Sequence, residues 1–123
     1  MSPEAAETLD DILRKLISSI PEVKAAAIVS VEGLPIASIL PRNVDETRVA
    51  AMTAAMLSLG ERAAQEFEKG DLEWVYVRGV DGYIFVMSAG SNAVLTMSAS
   101  KDVKLGLLLL DSKRACEKIS KQV

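Results

Sequence analysis

Three strand-like runs in the second half of the chain constrain its fold most, because both of their alternating faces are substantially apolar. These runs are Leu72–Arg78, Tyr83–Ala89 and Ala93–Ala99. The glycine-containing connections at 79–82 and 90–92 predict that the three strands form an antiparallel meander. A strand that is apolar on both faces needs cover on both sides. The sequence therefore predicts a sheet with helices packed on both of its faces.

Two apolar runs earlier in the chain predict a β-hairpin. They are Val23–Val31 and Leu34–Leu40, and Glu32 and Gly33 lie between them as a tight turn. Pro35 stands inside the second run, and proline has no N–H to donate to a neighbouring strand. We therefore expect the second strand of the hairpin to lie at an edge of the sheet.

An amphipathic segment near the N-terminus predicts the first helix. Its apolar residues recur at helical spacing, and they are Leu9, Ile12, Leu13, Leu16, Ile17 and Ile20. Ser2 and Pro3 suit an N-terminal cap and first turn. We expect Pro21 to end this helix, because its ring and its missing N–H interrupt helical hydrogen bonding.

A second amphipathic segment predicts a helix at the C-terminus, over Val103–Ile119, with Ser100 as its N-terminal cap. This helix contains the apolar run Leu105–Leu110. Membrane insertion is not expected, because a spanning helix needs about 20 apolar residues. We expect the run to be a buried segment of the core.

The segment from Asp45 to about Glu68 contains no proline and predicts one long central helix. Its larger apolar side chains share a helical stripe, which we expect to face the sheet: Val49, Met52, Met56, Leu59, Ala63 and Phe67. The opposite half carries mostly small residues, which let another polypeptide approach closely. We expect a partner to dock there, on Ala51, Ala54, Ala55, Ser58 and Arg62.

In chain order the predicted elements are helix, strand, strand, helix, strand, strand, strand and helix, and no long linker separates them. A chain of 123 residues supports one hydrophobic core. The predicted fold class is therefore α/β (α+β), a three-layer sandwich of order αββαβββα. We expect residues 1–123 to form a single domain.

The composition excludes several classes of function. The absence of histidine excludes His-based catalytic triads and histidine metal sites, and a formal charge of −3 does not suit nucleic-acid binding. The only cysteine, Cys116, cannot form an internal disulfide, and no secretory leader is recognised, so we expect a cytoplasmic protein. Gly79 and Gly82 fit a hairpin turn better than a phosphate loop. We find no catalytic constellation and expect no cofactor and no bound metal.

Several parts of the sequence, taken together and in this order, resemble the Roadblock / dynein light chain family. They are the hairpin segment Val29–Ser38, the alanine-rich helix carrying Ala50–Leu59, the segment Val94–Thr96, and Val103–Gly106 at the start of the last helix. The resemblance covers nearly the whole chain. Without appended segments, the chain is most similar to the minimal prokaryotic members.

The resemblance implies a five-stranded antiparallel sheet between one long helix and the two terminal helices. It also implies a homodimer in which the third strands pair edge to edge and the central helices lie side by side. We expect this interface to use, on the third strand, Leu72, Glu73, Trp74, Val75, Tyr76 and Val77, and on the central helix, Leu57 and Ala64.

In function, the resemblance implies a non-enzymatic scaffold or regulator of a Ras-like small GTPase, as in the Mgl-type polarity switch of bacteria. A second Roadblock chain is another partner that it implies. A different class remains open, because related three-layer folds of the profilin and PAS type bind peptides or small ligands between sheet and helix. A large internal cavity would distinguish such a sensor module from the packed sandwich expected here.

Overall fold

The computed structural model describes residues 7–123, so the expected cap at Ser2 and Pro3 lies outside the described residues. Eight elements follow one another: α1 (Leu9–Ser19), β1 (Val23–Ser30), β2 (Pro35–Ile39), α2 (Glu46–Glu66), β3 (Val75–Gly79), β4 (Gly82–Ser88), β5 (Ala93–Ser100) and α3 (Leu105–Ser120). The five strands form one antiparallel sheet, with α2 on one face and α1 and α3 on the other. The predicted order αββαβββα and the three-layer architecture are confirmed.

Strands β2 and β3 are the two edges of the sheet, whose order is β2-β1-β5-β4-β3. The edge position predicted for the second strand is confirmed. Pro35 is the first residue of β2 and faces Val29, where the pairing register between β1 and β2 shifts. Its missing N–H therefore falls at a strand start and beside an irregularity, where proline is tolerated.

The sheet separates two apolar cores. The larger lies under α1 and α3 and includes Leu13, Ile20, Ile28, Phe85, Leu108 and Ile119. The smaller lies under α2 and consists of Ala27, Val29, Ala50, Leu57, Val86 and Val94. Cover on both faces, predicted from the strand sequences, is confirmed in the central part of the sheet.

Two of the three helices begin at side-chain caps. Thr8 caps α1 through a reciprocal pair of 3.1 Å hydrogen bonds: the Asp11 N–H donates to Thr8 Oγ1, and the Thr8 N–H donates to Asp11 Oδ2. At α2 the Thr47 N–H donates to Asp45 Oδ1 at 2.9 Å. Pro21 follows the end of α1, as predicted.

The cap predicted for the last helix is wrong. Ser100 is the final residue of β5, and its N–H donates to the carbonyl oxygen of Glu22 at 2.8 Å. The helix begins only at Leu105, preceded by Lys104, which makes no side-chain capping bond. Ser100 thus stays in the strand, because Glu22, the residue just before β1, accepts its backbone hydrogen bond.

The expectation that Leu105–Leu110 is a buried segment is also wrong. Leu108 is fully buried and Leu109 half-buried, whereas Leu105, Leu107 and Leu110 are exposed. Successive helical residues point about 100° apart, so six consecutive leucine and glycine positions cannot all face one core. In residues 7–123, no helix has both the length and the apolar character needed to cross a membrane.

Candidate functional site

Helix α2 buries few of its apolar side chains against the sheet, and several of the larger ones are exposed. Ala50, Thr53 and Leu57 are the buried residues of the helix. Of the stripe expected to face the sheet, Met52, Leu59 and Phe67 are 56%, 69% and 75% exposed, and Ala63 is exposed as well. Only Val49 and Met56 are half-buried against the smaller core. The expectation for this stripe is therefore wrong for most of its members.

Two glycine contacts show which way each flank of α2 points. A Cβ at Gly33, in the β1–β2 turn, would lie 3.6 Å from the Cβ of Ala54. A Cβ at Gly60 would lie against Val75, the first residue of β3. The flank that carries Ala54 thus faces the β1–β2 hairpin, and the flank that carries Gly60 faces β3.

The exposed apolar residues lie on the flank that faces β3. At 100° per residue, Met52, Leu59 and Ala63 fall within about 60° of the half-buried Met56. Together with Phe67, just after the helix, they form what we call the α2 stripe: Met52, Met56, Leu59, Ala63 and Phe67. A soluble helix normally presents charged side chains at such positions, so the stripe is unusual surface.

Strand β3 extends this apolar surface. It pairs with β4 on one side, and no strand among residues 7–123 pairs with its other side. Val77 pairs with Ile84, and both lie on the face of the sheet covered by α2, since Val86, two residues beyond Ile84, belongs to the core beneath that helix. Val77 is 47% exposed and Ile84 is 36% exposed. We call the α2 stripe, Val77, Ile84 and the unpaired edge of β3 the edge surface.

The two helix residues expected at a dimer seam lie on the sheet-facing side of α2. Leu57 is 6% exposed and belongs to the core of its own chain, and Ala64 is half-buried on the same side of α2. Leu57 is therefore not available to a partner and its expectation is corrected, while that for Ala64 stays a prediction. Met52, Leu59 and Ala63 occupy the accessible β3-facing flank.

The strand residues expected at the seam divide into three groups. Val75, Tyr76 and Val77 lie in β3, whereas Leu72, Glu73 and Trp74 precede it, so the strand starts three residues later than predicted. Val75 and Val77 share the face of α2. Tyr76 points to the other face, where its ring centroid lies 6.1 Å from that of Phe85.

Of the residues expected to dock a partner, four lie on the outer surface of α2. They are Ala51, Ala55, Ser58 and Arg62, all exposed. Ala54 is half-buried beside the β1–β2 turn instead. The middle of this outer surface carries small side chains, and at 100° per residue the exposed Arg48, Arg62 and Glu66 fall on the same side of the helix. The surface is suited to contact with another protein rather than to chemistry.

Groups that could support chemistry are not assembled in the described residues. Burial raises the pKa of the Cys116 thiol to about 12, so this cysteine is a packed side chain and not a nucleophile. No group of three or more acidic or cysteine side chains within residues 7–123 is placed to hold a metal ion. Between the start of α2 and the sheet lies a partly open apolar cleft of about 190 Å³, lined in part by Ala27, Val44 and Val49.

Comparison with known proteins identifies relatives along most of the chain. The family described as "Roadblock/LC7 domain" matches residues 9–99. The protein MJ1340 of Methanocaldococcus jannaschii, described as uncharacterized, is 38% identical over 97 residues, which is 79% of this chain and 84% of that protein. Two further uncharacterized proteins of that organism, MJ0310 and MJ0714, are 37% identical over the same length.

Solved structures share the fold at lower identity. The Roadblock/LC7 domain from Streptomyces avermitilis superposes with a TM-score of 0.85 at 23% identity, covering 92% of this chain and 95% of that one. Myxococcus xanthus MglB gives a TM-score of 0.83 at 22% identity and 92% coverage of both chains. A profilin from Schizosaccharomyces pombe gives 0.67 at 12% identity, covering 93% of this chain and 98% of the profilin.

Proposed function

Since this chain belongs to the Roadblock/LC7 family, we propose that it is a non-enzymatic homodimeric scaffold or regulator that binds a Ras-like small GTPase. The resemblance first seen in the hairpin, the alanine-rich helix and the closing segment is thereby confirmed at the level of the family. The GTPase partner and the homodimer are our inference. The observation that carries the proposal is the edge surface, an apolar helix flank beside an unpaired strand.

A second copy of this chain accounts for both parts of the edge surface. Unpaired strand edges expose backbone N–H and C=O groups, and pairing with an identical strand satisfies them. A two-fold axis beside β3 would make each β3 the neighbour of the other and place the two α2 stripes face to face. The apolar side chains of Met52, Leu59 and Val77 would then leave water, which is the main driving force of association.

The outer face of α2 would remain accessible after such pairing. Ala51, Ala55, Ser58 and Arg62 point away from the sheet and away from the β3-facing flank. Two copies side by side would double this face into a broader platform whose middle, at Ala51, Ala55 and Ser58, has no long side chains to immobilise. We propose that the GTPase docks on this platform, with Arg62 available for a charge-assisted contact at its rim.

A ligand-binding sensor of the profilin or PAS type is less well supported. The layers of the sandwich are filled by side chains, and large apolar residues such as Leu13, Phe85 and Leu108 are at most 1% exposed. The cleft beneath the start of α2, about 190 Å³, is partly open to solvent rather than enclosed. The likeness to profilin concerns the fold alone. These observations favour a protein-binding surface over a ligand cavity.

Two measurements test the proposal. Sedimentation equilibrium at micromolar concentration should give twice the 13.2 kDa mass of the chain, and a monomer would reject the homodimer. Candidate small GTPases of the host, purified and loaded with GDP or with a non-hydrolysable GTP analogue, should bind the immobilised protein with nucleotide-dependent affinity. If none of these GTPases binds in either nucleotide state, the regulatory role is rejected. If the chain alone hydrolyses GTP, the proposal that it is not an enzyme is rejected.

A further inference from the structure

Helix α2 and strand β3 meet at a residue that has no side chain. Gly60 lies in the interior of α2, and an added Cβ there would be 2.5 Å from Cγ2 of Val75 and 3.2 Å from Cδ2 of Leu72. Carbon atoms pack best at about 3.5–4.0 Å. An alanine at position 60 would therefore displace one of the two elements by about 1 Å.

The contact atom in Val75 cannot easily move away. Val75 is β-branched, so its χ1 angle is restricted, and it is half-buried against the core beneath α2. Its backbone is fixed as well, because it pairs with Val86 of β4. A methyl group at position 60 would thus push α2 away from β3, because the neighbouring side chain is not free to move aside.

Gly60 is surrounded along the helix by members of the α2 stripe. Met56 and Ala63 lie one turn away on either side, and Leu59 is its neighbour in sequence. Val75 begins the strand whose other edge is unpaired. The Gly60–Val75 contact therefore lies between the helical and strand parts of the edge surface, at the closest approach of α2 to β3 at this residue.

We propose that Gly60 is a positioning residue for self-association: it allows α2 to lie directly against Val75, and this close contact sets the α2 stripe and the β3 edge in one surface that a second copy can cover. Gly60 itself need not touch the partner. The inference rests on the homodimer proposed above. It goes further by naming a contact within one chain, Gly60 with Val75, that affects how strongly the dimer forms.

The chain offers a matched control. Gly106 also lies in a helix, near the start of α3, and a Cβ there would meet nothing within 4 Å. Alanine is the better helix former at both positions. Gly60→Ala and Gly106→Ala therefore make the same chemical change, and only the first introduces a clash.

The test compares dimer dissociation constants, from sedimentation velocity, with urea midpoints for five proteins. They are the wild type, Gly60→Ala, Val75→Ala, the double variant of these two, and Gly106→Ala. We expect Gly60→Ala to weaken the dimer at least tenfold and Gly106→Ala to leave it within twofold. Val75→Ala removes Cγ2, so adding Gly60→Ala in that background should change the dissociation constant less than threefold. A role in monomer stability alone would lower the urea midpoint without changing the association of the folded chains.

Each outcome decides the inference. A Gly60→Ala variant that dimerises as the wild type does, or that loses the same affinity with and without Val75, overturns it. If Gly60→Ala does not fold, the double variant must fold and dimerise within threefold of Val75→Ala, and its failure to do so also overturns the inference. A monomeric wild type rejects the homodimer itself, a result distinct from a wild-type dimer that Gly60→Ala leaves unchanged.

Discussion

Phe85 and Val86 are consecutive residues of β4, yet their side chains enter different cores on opposite faces of the sheet. Phe85 packs in the larger core with α1 and α3, and Val86 packs in the smaller core beneath α2. Side chains of consecutive strand residues point to opposite faces of the sheet. Two neighbouring residues of β4 therefore contribute to both cores. Both residues are at most 1% exposed.

Phe85→Ala should destabilise the fold by about 3–5 kcal/mol, because it removes a large side chain from a core that cannot collapse around the space. The free energy of unfolding from urea denaturation measures this loss. Tyr76→Ala, on the same face but in the exposed edge strand, should cost much less. Equal losses for the two variants would show that the larger core does not extend as far as Phe85.

The two-sided character of the central strands was predictable from sequence, because both alternating faces of Tyr83–Ala89 are apolar and only cover on both sides explains that. Amphipathic α1 was predictable for a similar reason. Its stripe is narrow, and charged residues fill the rest of the helix. In such segments the pattern of apolar residues fits only one secondary structure and one orientation toward the core.

Stability should decline as the pH falls from about 5, because two carboxyl groups near the N-terminus are held ionised by their partners. A hydrogen bond with Lys118 at 3.2 Å is the main cause that lowers the pKa of Glu7 from its ordinary value of 4.5. Hydrogen bonds from the backbone and hydroxyl of Thr8 lower the pKa of Asp11 from 3.8.

A carboxyl group whose pKa is lowered in the folded state stabilises that state at pH values above its ordinary pKa. This stabilisation is lost as the pH falls through the lowered pKa. Urea midpoints measured from pH 7 to pH 3 should therefore decrease, and less steeply in the double variant Glu7→Gln with Asp11→Asn. A decline of the same steepness in wild type and variant would contradict this origin.

Cys116 should react with a thiol reagent only after the protein opens. Its pKa of about 12 leaves almost no thiolate at pH 8, and the side chain is buried in the larger core. Labelling with Ellman's reagent should be slower by several orders of magnitude in buffer than in 8 M urea. Rapid labelling of the folded protein would show that α3 separates from the sheet far more readily than this packing allows.

The orientation of α2 could not be predicted from its sequence, and the reason is physical. The expected stripe followed the helical spacing of apolar residues, whereas the buried residues of α2 are Ala50, Thr53 and Leu57, about 100° further round the helix. Two of these three are a small and a polar residue, so the spacing of the larger apolar residues indicates the wrong face. If a second chain covers Met52 and Leu59, as proposed above, their exposed position follows from the assembly and not from the pattern of a single chain.

The α2 stripe and the outer face of α2 can be tested separately through two adjacent residues. Leu59 lies in the α2 stripe, and the adjacent Ser58 lies on the outer face. A glutamate buried at the proposed seam without a partner costs about 3–5 kcal/mol. Leu59→Glu should therefore weaken the dimer about a hundredfold or more, whereas Ser58→Glu should leave the dimer mass unchanged and weaken GTPase binding instead.

Both variants add the same charge to adjacent, exposed helical positions, so each is the control for the other. Sedimentation velocity gives the dimer constant, and binding of the purified GTPase at a protein concentration well above that constant gives docking. Ser58 is the better probe of the platform than Ala54, which is half-buried beside the β1–β2 turn. Full GTPase affinity in Ser58→Glu would reject the platform, and an intact dimer in Leu59→Glu would reject the seam.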